Sequence, residues 1–333
     1  MKKLVVISLS ACFILFSSVY AASGAGGGAL KKGKDSASQK AEAFSKNVDV
    51  EDLAGQLTAL PDCVQIPPRI YVAGHNGVMK VLVHTIAAEA ESAWNEAEKA
   101  WSEKRFDDAI AAYKKAATMD PEFSTIYCNL GDAYYGKGDM AGAKIYFEKA
   151  ISVNFIDYQA HWFLADTLAA LGDLKGAVRE MTLAHVLNPC HAEIRRSLHG
   201  DRERSGRPFN DWTFIPQCRV TKNNGKILIE AKPDWVSYGL VRSIYLSQTQ
   251  VGGRSMSITG PRGESTRLIT EIDSIKALDT AKPEFKLIGK IIKAGYLEEF
   301  IYYEILTRAH PEEMLVLGEK KIRRIADYVD MFH

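Results

Sequence analysis

A 34-residue spacing of small and large apolar residues is the feature of this 333-residue chain that most limits its fold. Each copy of the pattern has a small residue, a large apolar residue four positions later and another small residue three positions after that. The residues are Ala109, Tyr113 and Ala116, then Ala143, Phe147 and Ala150, then Ala177, Met181 and Ala184. Residues at this spacing share one face of a helix. Three copies in one register indicate stacked helical units.

The middle copy resembles the tetratricopeptide repeat most fully. Its matching positions are Leu130, Gly131, Tyr134, Ala143, Phe147 and Ala150. The resemblance implies two antiparallel helices per unit and a mainly α solenoid of three repeats with capping helices. We expect the repeats at 90–123, 124–157 and 158–191, followed by a capping helix and linker at 192–208.

The segment Gly131–Gly138, GDAYYGKG, is one residue short of the phosphate-binding G-x-x-x-x-G-K-[ST] loop. Gly138 stands where that loop needs a hydroxyl to bind magnesium. The residues before it follow Pro121 and are typical of a helix start instead of a buried strand. We therefore expect Gly131 at a close helix contact, and Gly138 and Gly172 at helix ends with positive φ.

The N-terminus has the pattern of a secretory signal peptide, predicted at residues 1–21. Two lysines precede an apolar run at 4–20, and small residues follow it. A lipoprotein-type site at Cys12 and an uncleaved anchor are the alternatives. Residues 22–48, rich in Gly, Ala, Ser and Lys, are predicted to be a flexible linker. Residues 49–89 are predicted to be a helical extension that leads into the first repeat.

Residues 209–333 are predicted to form a smaller α+β domain of unknown function. Apolar stretches at 217–221 and 226–231 flank Asn223-Asn-Gly225, a pattern that favours a β-hairpin. Helical patterns follow, beginning at Pro233. No family is recognised in this part of the chain.

The composition and the motifs do not point to an enzyme. The net charge of +1 gives no argument for a nucleic-acid partner. G-x-S-x-G, H-E-x-x-H and C-x-x-C are absent from the sequence, and nothing in it calls for a cofactor or a metal. His185, His191 and His199 are not spaced by single helical turns. The alternative is an enzyme with its chemistry in residues 209–333, to which the repeats recruit substrate.

The resemblance implies that the first helices of successive repeats line a concave groove. The positions facing it would be Glu91, Trp94, Glu98 and Trp101, then Thr125, Cys128, Asp132 and Tyr135, then Gln159, Trp162, Asp166 and Ala169. One of these positions is acidic in every copy, and several of its neighbours are aromatic. We therefore expect a protein or peptide partner with basic and apolar residues, and membrane contact only through an uncleaved leader. The alternative is that the tryptophans are core residues between helices.

Four cysteines remain after the predicted leader: Cys63, Cys128, Cys190 and Cys218. An exported protein would meet an oxidising compartment, and four cysteines allow three full pairings. We favour Cys190–Cys218, because both residues flank the polar junction after the last repeat. Four reduced, buried thiols are the alternative.

Overall fold

The computed structural model describes residues 3–8, 66–75, 78–223, 226–248, 266–307 and 311–333. They form two compact units. One contains residues 66–213 and 302–333, and the other contains residues 3–8 and 214–301. None of the described helices has both the length and the apolar character that a bilayer crossing requires. The predicted linker at 22–48 lies outside the described residues.

Seven helices follow one another in the first unit. They are α1 (Ala88–Ser102), α2 (Phe106–Met119), α3 (Ser124–Lys137), α4 (Met140–Val153), α5 (Tyr158–Ala170), α6 (Leu174–Leu187) and α7 (Ala192–Arg204). The second helices α2, α4 and α6 begin 34 residues apart, at Phe106, Met140 and Leu174. Three helical hairpins and a following helix confirm the predicted solenoid.

The glycines of the phosphate-loop-like segment serve a helical hairpin, as the repeat pattern predicts. A Cβ at Gly131 would lie 2.7 Å from the ring of Phe147, which belongs to the second helix of the same repeat. Gly138 and Gly172 end the first helices with φ of +87° and +84°. Lys104, one repeat earlier, has φ of +59°. The turn between the two helices therefore needs the left-handed conformation, which glycine adopts without strain.

A β-hairpin stands where the sequence predicted part of a helical extension. Strands β2 (Ile70–His75) and β3 (Val78–Val83) pair antiparallel, with Ile70 opposite Val83. The helical prediction for 49–89 is therefore wrong over these strands, and residues 49–65 lie outside the described part. Four of the six residues of β3 are valine or leucine, and the β-branched valines favour a strand.

Residues 66–75 and 78–87, which we call the strap, are held by three repeats. The binding side chains, Asp120, Asn154 and Asn188, are the residues that end α2, α4 and α6, and they are 34 residues apart. Asp120 Oδ2 accepts from Ala87 N at 2.9 Å, and Asn154 Nδ2 donates to Ile70 O at 2.7 Å. Asn188 bonds both Ile66 N and Ile66 O at 3.3 Å. Equivalent helix ends thus bind successive parts of one segment.

The C-terminal segment of the chain packs on the repeats. This differs from the prediction, which placed all of residues 209–333 in a separate domain. A π-helical turn (Tyr302–Leu306) is followed by α12 (Glu312–Leu315) and α13 (Glu319–Phe332), and both α12 and α13 contact α6. Residues 302–333 therefore belong to the repeat unit. The sequence shows the amphipathic face of α13, but it does not show which partner covers that face.

Buried polar contacts fix these C-terminal helices. Arg202 Nη1 of α7 lies 2.6 Å from Asp330 Oδ1. His185 Nε2 of α6 lies 2.8 Å from the hydroxyl of Tyr303. His333 Nε2 lies 2.8 Å from Glu304 Oε1, and both of these side chains are buried. These polar pairs make the interface specific as well as apolar.

The second unit combines a three-stranded antiparallel sheet with helices. The strand order is β1-β5-β4, from β1 (Lys3–Ser8), β4 (Cys218–Asn223) and β5 (Lys226–Ala231). A 3-10 turn at Pro233–Trp235 leads into α8 (Val236–Gln248), which packs on β4 and β5. The remaining elements are α9 (Thr266–Lys276), a 3-10 turn (Pro283–Phe285), α10 (Lys286–Lys293) and α11 (Leu297–Ile301). The predicted hairpin and the helix after Pro233 are confirmed.

A buried polar network ties α8 to α9. Arg242 pairs with Glu271 and donates to the hydroxyl of Tyr238 at 2.8 Å, while that hydroxyl donates to Glu271 at 2.9 Å. Burial and the Glu271 carboxylate raise the pKa of the Tyr238 hydroxyl. The three side chains therefore satisfy one another inside the core.

Strand β1 lies within the predicted leader. Lys3 stands opposite Ala231 and Ser8 opposite Lys226 on β5. The remainder of residues 1–21 lies outside the described part. Removal of the leader would leave β5 paired with β4 alone.

Candidate partner-binding site

The predicted groove residues lie on the first helices α1, α3 and α5. Trp101 and Tyr135, equivalent residues of adjacent repeats, are 42% and 38% exposed. The acidic row of Glu98, Asp132 and Asp166 is half-buried. Of the other predicted positions, Glu91 is exposed, and Gln159, Trp162 and Ala169 are half-buried. An accessible acidic row beside exposed rings is therefore present.

Three of the predicted groove residues, Trp94, Cys128 and Thr125, are buried instead. Trp94 is 7% exposed, because its ring packs on Tyr113 and Phe123 and the guanidinium of Arg69 lies 5.6 Å from its centroid. Cys128 is 3% exposed within the apolar cluster of the second and third repeats. Neither side chain is available to a partner. Thr125 is likewise buried.

Glu98 is fixed in place by neighbouring side chains. Its Oε1 accepts from the Tyr113 hydroxyl at 2.5 Å and from Asn129 Nδ2 at 2.7 Å. Burial and the Glu98 carboxylate raise the pKa of Tyr113, which keeps this hydroxyl a donor. Asn129 was not among the groove residues predicted from the sequence. Its position on α3, three residues before Asp132, is the signal that would have identified it.

Burial makes the other two acids of the row harder to ionise. Burial, with a smaller effect of Glu98, raises the pKa of Asp132 to about 6. Burial and Asp201 of α7 raise the pKa of Asp166 to about 6, against smaller opposing effects of Arg204 and Trp162. Both carboxylates are poorly solvated, so an added positive charge would stabilise their ionised forms.

A basic pocket of about 470 Å³ lies beside α7. Its charged lining includes Arg195 and Arg196, which pair with Asp211 and Glu193 respectively. His191, which also lines it, lies edge-on to the ring of Trp162 with centroids 4.9 Å apart. Because both arginines already have carboxylate partners, this pocket has less free charge than its residue types suggest.

The predicted disulfide between Cys190 and Cys218 is wrong. Cys190 is disulfide-bonded, but Cys218 is a free thiol. A Cβ added to Gly239 of α8 would lie 2.5 Å from the Cys218 sulfur, so the Cys218 side chain of β4 packs closely against α8. Burial raises the pKa of the Cys218 thiol to about 11. The positions of Cys190 and Cys218 on either side of the polar junction in the sequence were therefore not a reliable guide to disulfide pairing.

Across the described ranges, no group of three or more His, Cys, Asp and Glu side chains is arranged to hold a metal ion.

Family models match the centre of the array. A TPR repeat model matches residues 102–138, and a tetratricopeptide repeat model matches residues 124–157. Among curated proteins, none matches the chain.

Solved structures resemble roughly a third of the chain. The first TPR domain of human RPAP3 is 21% identical, and the match covers 35% of this chain and 92% of that one, with a TM-score of 0.34. The Arabidopsis OM64 TPR domain is 20% identical over 34% of this chain and 95% of its own, with a TM-score of 0.34. The Yersinia enterocolitica chaperone SycD, in complex with a peptide of the translocator YopD, is 16% identical over 37% and 99%, with a TM-score of 0.34. The 34-residue helical hairpins and the matching family models show that the chain contains tetratricopeptide repeats within residues 102–157.

Proposed function

We propose that the groove on α1, α3 and α5 binds a segment of a protein partner that carries basic and apolar residues. The observation that carries this proposal is the row of half-buried carboxylates Glu98, Asp132 and Asp166 beside the exposed rings Trp101 and Tyr135. The repeat array is a protein-interaction module, and these residues give its groove a specific chemistry.

The charges and the rings have different tasks in this proposal. Half-buried acids attract a Lys or Arg side chain and favour rapid association. Exposed rings provide apolar area that a partner can bury, and aromatic residues are frequent binding hot spots. Chaperone-binding members of the family place Lys, Arg and Asn in the groove to hold a terminal carboxylate. This chain departs from that pattern, and its acidic row argues against that mode, because ionised acids would repel the carboxylate.

Comparative affinity capture tests the proposal with a charge-matched control. The groove variant reverses the acidic row, as Glu98→Lys, Asp132→Lys and Asp166→Lys. The control variant reverses the same number of acids that are exposed away from the row, as Asp108→Lys, Glu122→Lys and Glu148→Lys. We expect proteins that wild type and control retain and the groove variant loses. Identical sets of captured proteins would contradict the proposal.

Within a captured complex, the ring of Trp162 should matter more than a single charge. Trp162→Ala should weaken binding more than Asp166→Asn, because it removes ring area that a partner can bury, whereas the amide of the second variant still offers an oxygen that accepts a hydrogen bond. The groove variant should also lose the salt dependence of association. If wild type and both single variants bind with equal affinity, the partner does not bind in the groove. The alternative binding site is then the C-terminal part of the chain.

We also propose that the protein is exported and acts as a scaffold in the cell envelope. The signal-like pattern of residues 1–21 and the disulfide at Cys190 support this, because disulfides persist in oxidising compartments. N-terminal sequencing of the protein from fractionated cells tests it. The expected mature protein begins after Ala21 and lacks β1. A cytosolic protein that retains Lys3 would contradict export.

A further inference from the structure

The helix that follows the last repeat, α7, contains a buried carboxylate oxygen that has no hydrogen-bond partner among the described residues. Asp201 of α7 is 3% exposed, and its Oδ1 pairs with Arg204. Its Oδ2 is buried and accepts no hydrogen bond from any residue that the structure describes. A buried acceptor without a donor costs free energy, so this atom indicates a position where a ligand would complete the bonding.

An unpaired donor lies close to the same acids. Trp162 Nε1 of α5 is buried and donates to no group in the described part of the chain. The indole is near enough to Asp166, one helical turn along α5, to lower the pKa of that carboxyl, although the geometry falls short of a hydrogen bond. Asp201 acts on Asp166 as well, as a repelling charge. A buried donor and a buried acceptor, neither with a hydrogen-bond partner among the described residues, therefore both lie close to the Asp166 carboxylate.

We propose that Asp166, Asp201 and Trp162 form a binding site for one Lys or Arg side chain of the partner segment. The cation would donate to Asp201 Oδ2 and Asp166, and the backbone carbonyl of the same partner residue would accept from Trp162 Nε1. This inference rests on the proposed function and locates the partner's basic residue at the last repeat. With Arg204 counted, the site keeps one net negative charge for that cation to neutralise.

A side-chain cation fits this site better than a metal ion. Two carboxylates of adjacent helices supply fewer protein ligands than the three or more that metal sites in proteins usually have. A guanidinium presents five donors in one plane and can bond two carboxylates together.

The probe is Nα-acetyl-L-arginine amide, which has a guanidinium, backbone carbonyls and no free amine. It is titrated into the full chain with 15N-labelled tryptophan, and the Trp162 indole signal is assigned with Trp162→Phe. We expect a saturable shift of that signal. The citrulline analogue, which has nearly the same shape without the charge, should give no shift at the same concentrations.

Variants test the named atoms. Asp201→Asn and Asp166→Asn should each weaken probe binding by about tenfold or more, because a charged hydrogen-bond partner is lost. Glu148→Gln, an exposed acid of α4, is the matched control and should bind as wild type does. Asp166→Asn keeps the test valid if Asp201→Asn does not fold. Because burial and Asp201 raise the pKa of Asp166 to about 6, probe binding should weaken below that pH.

Three results would overturn the inference: no shift of the Trp162 signal, equal binding of the citrulline analogue, or unchanged affinity in both Asp variants. The capture experiment is independent of the probe. If the probe binds and no protein depends on the acidic row, the proposed function fails while the cation site stands.

Discussion

At the scale of single residues, the half-buried carboxylates of Asp132 and Asp166 destabilise the free protein and favour the binding of a cation. Burial, with a smaller effect of the Glu98 carboxylate, raises the pKa of Asp132 to about 6. The folded state therefore holds a proton on Asp132 at pH values where the unfolded chain has released it. This contribution lowers the free energy of unfolding as the pH rises from about 4 to about 6.

Asp132→Asn should reverse that effect. We expect the variant to gain up to about 2 kcal/mol over wild type at pH 7.5 and little at pH 4, where Asp132 is protonated. Urea unfolding at the two pH values measures the difference. Asp108→Asn, an exposed acid of α2, is the control. A gain of the same size at both pH values would show that desolvation of the charge is not the cause.

The disulfide of Cys190 should join the start of the strap to the last repeat. Asn188 is hydrogen-bonded to the backbone of Ile66. Cys63 is three residues before Ile66 in the sequence, and Cys190 is two residues after Asn188. These bonds therefore favour a disulfide between the two cysteines. Cys128 and Cys218 are free thiols. We expect peptide mapping without reduction to find Cys63 linked to Cys190. Alkylation of Cys63 in the unreduced protein would exclude the pairing.

At the scale of elements, the strap shows what the sequence revealed and what it did not. The polar residues Asp120, Asn154 and Asn188 recur at the repeat period and could have been noticed as a row. The strap could not have been identified as the segment that these residues bind, because nothing in residues 66–87 indicates where a short β-hairpin will pack. The hairpin helices were predictable because small and large apolar residues recur at helical spacing within a fixed period.

Removing Asn188 should loosen the strap at its first residue. Asn188 is fully buried, so Asn188→Ala leaves both Ile66 N and Ile66 O without partners, at a cost of about 2 kcal/mol or more. Asn154→Ala removes one half-buried bond to Ile70 and should cost about 1 kcal/mol. Urea unfolding and amide exchange at Ile66 measure these effects. Equal costs for the two variants would mean that the strap does not depend on this buried contact.

Gly131 should tolerate no side chain, whereas Lys137 should be replaceable. Gly131→Ala brings a methyl group against the ring of Phe147 and should destabilise by about 1–3 kcal/mol. Lys137→Ala removes only an exposed pair with Asp107 and should leave stability and partner binding unchanged. Thermal unfolding of both variants checks this. Micromolar ATP binding that disappears in Lys137→Ala would favour the phosphate-loop interpretation.

At the scale of the whole molecule, the local periodic signals were predictable, but the partners of each surface were not. The acidic row was predicted from the repeat register together with the resemblance to the tetratricopeptide repeat. Trp94 was predicted to be accessible, and the sequence could not show that Arg69 of the strap and Phe123 cover it. The next position of the acidic row, 34 residues after Asp166, is Gly200, and Asp201 is one residue further along. It lies on a helix that was predicted only as a capping helix. Long-range packing determined both outcomes.

Selection of peptides from a random display library on the full-length protein tests the central claim most directly. The account predicts selected peptides that combine Lys or Arg with apolar residues. Their binding should be lost in the variant with Glu98→Lys, Asp132→Lys and Asp166→Lys, and retained in the control with Asp108→Lys, Glu122→Lys and Glu148→Lys. Selected peptides without basic residues, or peptides that bind the groove variant as tightly as wild type, would contradict it.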